Sequence, residues 1–347
     1  MNRPNGVSLS FHSSVSNNCK PIPSDTMATM QALHLRKDIP GAAPTLTLTT
    51  VPKPTLTPGH LLVKVHASAI HPSDLINAKG AFPFTTFPRI PGRDYSGTIV
   101  EGPPSLVGTE VYGTSGFTQA FSLDGAQAEY ILVPEAAVAP KPKNLSAVQA
   151  ATLGVPFTTA NLVLRRAACK EGDVVLVLGA NGAVGSAAVQ LAKSIGAKVL
   201  MGTRDEKGDV NTASDPELKK IDELTSGKGV DVVVDTVGQP GLTKAAVAKL
   251  GRGGRLAFIT APRMGVTELG VEMLDFYRME KTLVGCNTLS YSVEEFAEEL
   301  KALTPKFEDG GLKAAAPGEW NELKLEDGVQ AYERAGQRGG GKFVIVA

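Results

Sequence analysis

One segment of this 347-residue chain leaves little freedom in how it folds. Residues 174–204 read as strand, glycine turn, helix, strand. Val174 to Leu178 are all β-branched or aliphatic, as a strand buried on both faces requires. Gly179, Gly182 and Gly185 follow at three-residue spacing. Beyond them Val184, Ala188, Leu191 and Ile195 recur at intervals of four, three and four, which makes one apolar helix face. Gly196 closes that helix, and Lys198 begins the next strand. The result is a βαβ unit whose first turn suits a dinucleotide pyrophosphate. Gly182 lets the backbone approach the phosphates, and Gly185 lets the helix pack close to the strand. The helix start offers free N–H groups and a positive dipole to the anion. The flanking strand and helix separate this pattern from an ordinary tight turn. Gly179, Ala180, Asn181, Gly182, Ala183, Val184 and Gly185 are therefore candidate cofactor contacts.

The end of the second strand bears on which dinucleotide is bound. An NAD site usually places an acid there to hold the ribose 2′-hydroxyl. Here the place is taken by Thr203 and Arg204, the latter 19 residues after Gly185. A guanidinium suits a 2′-phosphate, and Lys207 adds a second cation. One charge-assisted contact of this kind is worth roughly 1.5–3 kcal/mol, about a 10- to 100-fold preference for NADPH. The competing reading makes Arg204 a solvated strand-end charge with Asp205 as its partner.

Lys+Arg and Asp+Glu both number 35, so nothing points to a nucleic-acid groove or a membrane-binding face. Cys19, Cys169 and Cys286 are too scattered for a disulfide framework or a metal cluster, which suits a reducing, cytoplasmic setting. The most membrane-like run, 174–195, is interrupted by Asn181, Gln190 and Lys193. Residues 1–27 are rich in Ser, Asn and Pro, with Arg3 and Lys20 as their only basic residues. They read as a disordered tail or as the product of an upstream start; an organelle-targeting peptide is the alternative.

Strand signals run through Gln31–Arg36, Leu61–Ala67, Gly97–Glu101, Thr109–Tyr112 and Ala128–Pro134, broken by Gly and Pro. This is a small, irregular β-rich unit. From Ser146 helices alternate with buried strands. Ala147–Leu164 reads as helical with an interruption at Pro156. Strands are expected at 174–178, 198–202, 231–235, 255–260 and 282–286. Ligands bind at the carboxyl ends of such strands, which places Thr236, Val237, Gly238, Thr260 and Ala261 near the cofactor. Helices at 292–302 and 325–335 and a strand at 342–346 return to the first unit.

With its landmarks in this order, the chain resembles the medium-chain dehydrogenase/reductase superfamily, and most of all the zinc-independent quinone oxidoreductase (zeta-crystallin-like) branch. The landmarks are Ile70-His-Pro-Ser-Asp74, Phe87-Pro-Arg-Ile-Pro-Gly-Arg-Asp-Tyr-Ser-Gly97, Gly125–Tyr130, Val155–Ala160, the glycine turn, Asp231–Gly238 and Gly341–Val346. The resemblance implies an α/β protein in two domains. A GroES-like β-rich catalytic domain, 28–150 plus 290–347, would flank a Rossmann domain with a doubly wound parallel sheet for NADP, 151–289. The active site would lie in the cleft between them, and a homodimer is common in the family. Thr159 and Lys342, from two of these motifs, join the cofactor candidates.

Zinc-dependent relatives hold their catalytic metal at positions matched here by His71, Arg93 and Val155. Only His71 can coordinate, and a catalytic zinc needs three protein ligands. The four-cysteine structural zinc motif is also missing, so no metal is expected. The resemblance then implies hydride transfer from NADPH to an acceptor that needs no Lewis acid, a quinone or an activated alkene. Ser73 stands at a proton-relay position, and His71 is a candidate proton donor or a group that orients the nicotinamide ribose. A local turn bond and simple packing are their respective alternatives, and Tyr130 reads as structural. Phe82, Phe84 and Phe87 offer an aromatic wall for a flat substrate.

Three departures from the family pattern matter. Arg89 or Ile90 replaces a tyrosine of some quinone-reducing relatives. Ala81-Phe82 stands where enoyl reductases carry a catalytic tyrosine. The connection after Arg204 is shortened to Asp205–Thr212. Quinone reduction is the first reading, and alkene (enone, enal or enoyl) reduction is the alternative. A non-enzymatic cofactor-binding protein ranks third, since the chain has no basic patch. Arg204→Asp should raise the KM for NADPH far more than that for NADH in steady-state assays. Equal effects on both would refute the 2′-phosphate assignment.

Overall fold

The computed structural model describes residues 28–39, 41–337 and 339–347. The expectation of a tail over 1–27 lies outside the described residues, as does Cys19. An antiparallel pair, β1 (Thr29–Arg36) and β2 (Thr45–Pro52), opens the fold. It is followed by β3 (His60–Ile70), α1 (Pro72–Ala78), β4 (Asp94–Glu101), β5 (Glu110–Thr114), β6 (Tyr130–Pro134) and β7 (Ala139–Pro140). The long strand β3 is the spine of the first sheet, pairing antiparallel with β4 on one side and with both β6 and the C-terminal strand on the other. Its core holds Leu61, Val63, Val65, Tyr95, Ile99 and Ile131.

Helices α2 (Ala147–Ala150) and α3 (Gly154–Arg166) lead to the second sheet. The expected helix over 147–164 does break, but at 151–153 and not at Pro156. Pro156 sits in the first turn of α3, where its missing N–H has no helical partner to lose. The stretch 147–166 is long and apolar enough to cross a membrane, yet most of it is packed inside the protein.

The second sheet comprises β8 (Val174–Leu178), β9 (Lys198–Thr203), β10 (Val210–Asn211), β11 (Val230–Asp235), β12 (Leu250–Phe258) and β13 (Thr282–Gly285). Its helices are α4 (Ala183–Ser194), α5 (Lys220–Leu224), α6 (Pro240–Ala248) and α7 (Met273–Arg278). All strands are parallel and run β10-β9-β8-β11-β12-β13, so the direction of winding reverses between β8 and β11. In a sheet wound this way, that reversal opens a crevice at the strands' carboxyl ends. The shortened connection is real, since 204–209 joins β9 to its parallel neighbour β10 with no crossover helix.

The chain then returns through α8 (Val293–Glu308), β14 (Asn321–Lys324), α9 (Gly328–Ala335) and β15 (Phe343–Val346). Strand β15 completes the first sheet beside β3. Ser292 caps α8 in a box with Glu295, and Leu300, Leu303 and Phe307 form its buried face. Phe307 meets Phe157 of α3 edge-on, with ring centres 4.8 Å apart. The Tyr112 hydroxyl of β5 donates to the Leu300 carbonyl at 2.9 Å. Helix α8 thus joins the two sheets in one core. Phe307→Ala should lower the unfolding free energy by about 3–5 kcal/mol in urea titrations. A loss under about 1 kcal/mol would contradict this role.

Candidate active site

The crevice at the sheet reversal opens into a cavity of about 460 Å³ lined from both halves of the chain. Its floor is the glycine turn. Gly179 has φ +75°, and a Cβ there would lie 2.5 Å from Thr236 Oγ. A Cβ on Gly185 would come within 2.1 Å of the Gly179 carbonyl, so only glycine allows this approach of helix to strand. Gly182 caps α4 without a side-chain bond, and Ser186 N–H is the first to bond back, to the Gly182 carbonyl at 2.8 Å. The N–H groups of Ala183, Val184 and Gly185 therefore have no helical acceptor and lie along the cavity wall. Those are the features an anionic pyrophosphate requires.

The next two strand ends are locked together. The buried Asp235 carboxylate accepts from Val237 N–H, Gly238 N–H and the Thr243 hydroxyl, at 2.8, 2.9 and 2.6 Å. Gly238 packs so tightly on the loop after β12 that a Cβ would meet the Thr260 carbonyl at 2.2 Å. Thr236, Thr260 and Ala261 reach the cavity, as does Thr159 from α3, while Gly179, Ala180, Asn181, Val237 and Gly238 do not line it.

Opposite the turn stands a polar cluster. His71, at the start of α1, bonds through Nε2 to Asp94 Oδ2 at 2.7 Å. Val155 N–H donates to the same oxygen at 2.7 Å. An ionised carboxylate has no proton to give, so Nε2 carries the hydrogen and Nδ1 is the acceptor. The Trp320 ring packs edge-on to the imidazole with centres 5.8 Å apart. Ser73 Oγ accepts from Arg93 Nη1 at 3.0 Å, and Arg93 Nε donates to Ser115 Oγ at 2.7 Å. His71, Ser73 and Arg93 all line the cavity.

The aromatic expectation holds only for Phe82, which lines the cavity. Phe84 packs behind it, ring centres 5.5 Å apart, and Phe87 lies under Lys37, away from the site. Phe121 joins the same aromatic cluster, 5.3 Å from both Phe82 and Phe84, and like Phe84 it does not line the cavity. Arg263, from the loop after β12, donates to the Ala81 carbonyl at 2.8 Å and stacks on Phe82 at 5.1 Å. That contact crosses the mouth of the cavity. Tyr130 is half-buried beneath Lys53 and lines a different cavity.

Arg204 and Lys207 are exposed in the loop just beyond β9. Thr203 is buried, its hydroxyl bonded to the Asp205 carbonyl at 2.8 Å. The Arg204–Asp205 pairing does not form among the described residues. Asp205 instead accepts from Lys207 N–H at 3.1 Å and Asn181 Nδ2 at 3.3 Å. Lys342 does not reach the cavity. It pairs with Glu319 at 2.6 Å in an adjoining cavity of about 570 Å³.

Sequence reasoning missed Arg93 as a functional group, having read it only as a lost metal ligand. It also missed Arg263 and the loop Asn287–Leu289, which follows β13 into the cavity. The rule that ligands sit at strand carboxyl ends, applied to β13 as it was to β11 and β12, locates that loop.

Asp74 is fully buried, accepts His71 N–H at 2.8 Å on Oδ2 and leaves Oδ1 without a partner. Burial holds its carboxyl above the usual value of 3.8, against the pull of His71 and Arg93. A raised folded-state value means that the folded protein binds the extra proton, so stability falls as pH rises through the window above 3.8. Asp74→Asn should therefore gain stability over wild type as pH rises through that window in urea unfolding. A difference that stays flat with pH would refute the assignment.

Two family models match the chain: an alcohol dehydrogenase GroES-like domain over 57–143 and a zinc-binding dehydrogenase domain over 183–304. A zinc-type alcohol dehydrogenase-like protein of Schizosaccharomyces pombe is 46% identical, over 91% of this chain and 97% of that protein. The quinone oxidoreductase of Sus scrofa is 32% identical, over 79% and 84%. The crystal structure of an alcohol dehydrogenase superfamily protein from Novosphingobium aromaticivorans superposes with a TM-score of 0.77 at 26% identity, covering 92% of this chain and 99% of that one. The chain belongs to the medium-chain dehydrogenase/reductase superfamily, on its quinone oxidoreductase branch, and is an oxidoreductase that binds a nicotinamide dinucleotide.

Proposed function

We propose that the protein is an NADPH-dependent reductase of conjugated carbonyl acceptors, quinones foremost, that works without a catalytic metal. The observation that carries this reading is the convergence, on one cavity, of an anion-binding glycine turn, two proton-bearing side chains and the Phe82 ring. The residues fit the dinucleotide. The uncapped start of α4 suits its pyrophosphate, and the close packing of Gly185 on Gly179 leaves the backbone bare there. Arg204 and Lys207 suit a 2′-phosphate, and the Asp205 carboxylate, engaged by Asn181, leaves both cations unpaired among the described residues.

When bound, the dinucleotide supplies a hydride from its nicotinamide C4. The protein's task is to orient the acceptor, exclude water and deliver a proton. Ser73 accepts a bond from Arg93, which leaves its own hydroxyl hydrogen to give. Asp94 fixes the tautomer of His71 by accepting from its Nε2, which holds the imidazole in place on the cavity wall beside Ser73. Phe82 offers an apolar face to a flat ring, and the Arg263–Ala81 contact shields it from water. A metal has no purchase here. Val155 offers only its backbone, His71 is committed to Asp94, and a guanidinium occupies the third position.

The exposed apolar side chains Met264, Val266, Met273 and Tyr277, close in sequence to the open edge strand β13, support a homodimer. Anaerobic NADPH oxidation with an ortho-quinone and an α,β-unsaturated ketone in parallel tests the function. Faster turnover of the quinone is expected. Faster turnover of the ketone to a saturated product would make the protein an alkene reductase, and no oxidation with either would overturn the proposal.

A further inference from the structure

The Arg93 side chain is an anomaly on energetic grounds. Its guanidinium is buried, with the residue only 5% exposed, yet no carboxylate lies within 4.0 Å of it among the described residues. Asp74 and Asp94 act on it only at longer range: the Oδ2 of each is engaged by His71 or Val155, and the buried Oδ1 atoms make no hydrogen bond to the guanidinium. Its neutral partners are Ser115 Oγ, Ser73 Oγ and, at 3.5 Å, the Ser115 carbonyl. Desolvating a cation without a close counter-ion is costly, and a packed apolar residue would be the stable choice. A guanidinium carries five N–H donors, and these three contacts leave two unused. The cavity it lines contains His71, Arg93 and Arg263 but no Asp or Glu side chain, so its field favours negative charge.

We infer that the Arg93 guanidinium is a catalytic oxyanion-stabilising group, standing where zinc-dependent relatives hold their metal and supplying the positive charge that the metal supplies there. This rests on the reductase reading above. Reduction adds a hydride, two electrons and one hydrogen nucleus, to the acceptor. One π bond breaks as the new bond to hydrogen forms, and the electron pair released settles on the acceptor oxygen as a hydroquinolate or enolate. The two free N–H groups of Arg93 are donors for that oxygen. Ser73, bonded to the same guanidinium, then gives its proton to the hydroquinolate oxygen, completing the hydroquinone, or to the enolate oxygen, giving an enol that tautomerises in water to the saturated ketone, and recovers a proton from solvent. Arg93 thus lowers the cost of the anion and acidifies the adjacent hydroxyl. Ser115 acts as a positioning residue, since its Oγ fixes the guanidinium through Nε.

The test needs no turnover. 4-Nitrophenol is a flat aromatic whose anion mimics the developing oxyanion and absorbs separately from the neutral form. Titrated on the dinucleotide-free protein, bound nitrophenol should ionise about one pH unit lower than free nitrophenol, a tenfold preference for the phenolate. Arg93→Met should abolish that shift, Arg93→Lys should retain part of it and Ser115→Ala should weaken it. Thermal melts identify any variant that fails to fold, in which case the Lys and Ser115 variants decide. His71, Asp74, Asp94 and Arg263 also face the site, so Arg263→Met is the control and should keep most of the shift. With NADPH and a quinone, Arg93→Met should lose about 10²- to 10³-fold in kcat with little change in KM for NADPH. An unchanged shift in Arg93→Met, a shift lost only in Arg263→Met, or nitrophenol that does not bind would overturn the inference. A protein that oxidises NADPH with neither acceptor would instead sink the reductase reading and leave the titration to judge Arg93.

Discussion

The Asp94 carboxylate is the interaction on which the rest of the site depends. It ends the loop that enters β4 and accepts from both His71 and the Val155 amide at the start of α3. One carboxylate therefore ties the first sheet, the candidate acid–base group and the helix that leads into the second sheet. The approach is so close that Gly154 has no alternative, because a Cβ there would stand 2.5 Å from Asp94 Oδ1. The Ser68 hydroxyl fixes the same residue from below by donating to its carbonyl at 2.7 Å. Such a charge, buried and shared by two donors, is expensive to disturb, because losing it leaves both donors unsatisfied.

Around that anchor the cavity combines two opposed environments. The dinucleotide side consists of backbone, with glycines at every close approach and N–H groups in place of charged side chains. The opposite side is aromatic and cationic, with Arg263 over the Phe82 ring and Arg93 over the Phe121 ring packed against it. Helix α8 holds the two sides at a fixed spacing through Phe157–Phe307 and Tyr112. The Arg263–Ala81 bond is the only one of these links that spans the cavity mouth, and it joins two exposed loops.

Much of this architecture was legible because local rules and tertiary packing agree in the second sheet. The strands expected over 174–178 and 198–202 follow from the short apolar runs Val174–Leu178 and Val199–Met201, and the turn between them from glycine spacing. Strand β2 was missed because its Thr-rich alternation is weak and its side chains are exposed or half-buried. Strand β14 is an exposed edge whose only support is β15, paired through backbone bonds that leave no trace in the residue pattern. Within the site, His71 and Ser73 were found from one motif, whereas Phe84 and Phe87 were misplaced. Their sequence neighbourhood to Phe82 says nothing about which ring the loop turns inward. Phe121, which packs on Phe82 alongside Phe84, arrives from 39 residues away. Arg93 was visible throughout. What the sequence lacked was its environment, burial without a close counter-ion, and that property belongs to the folded cavity.

The central claim is that side chains, and no metal, carry the charge of reduction at this site. Turnover measured against metal content, by elemental analysis of the same chelator-treated samples, tests it most directly. The account predicts full turnover in protein with far less than one zinc per chain, unchanged by added Zn²⁺. Turnover that falls in proportion to bound zinc and returns when Zn²⁺ is restored would contradict it.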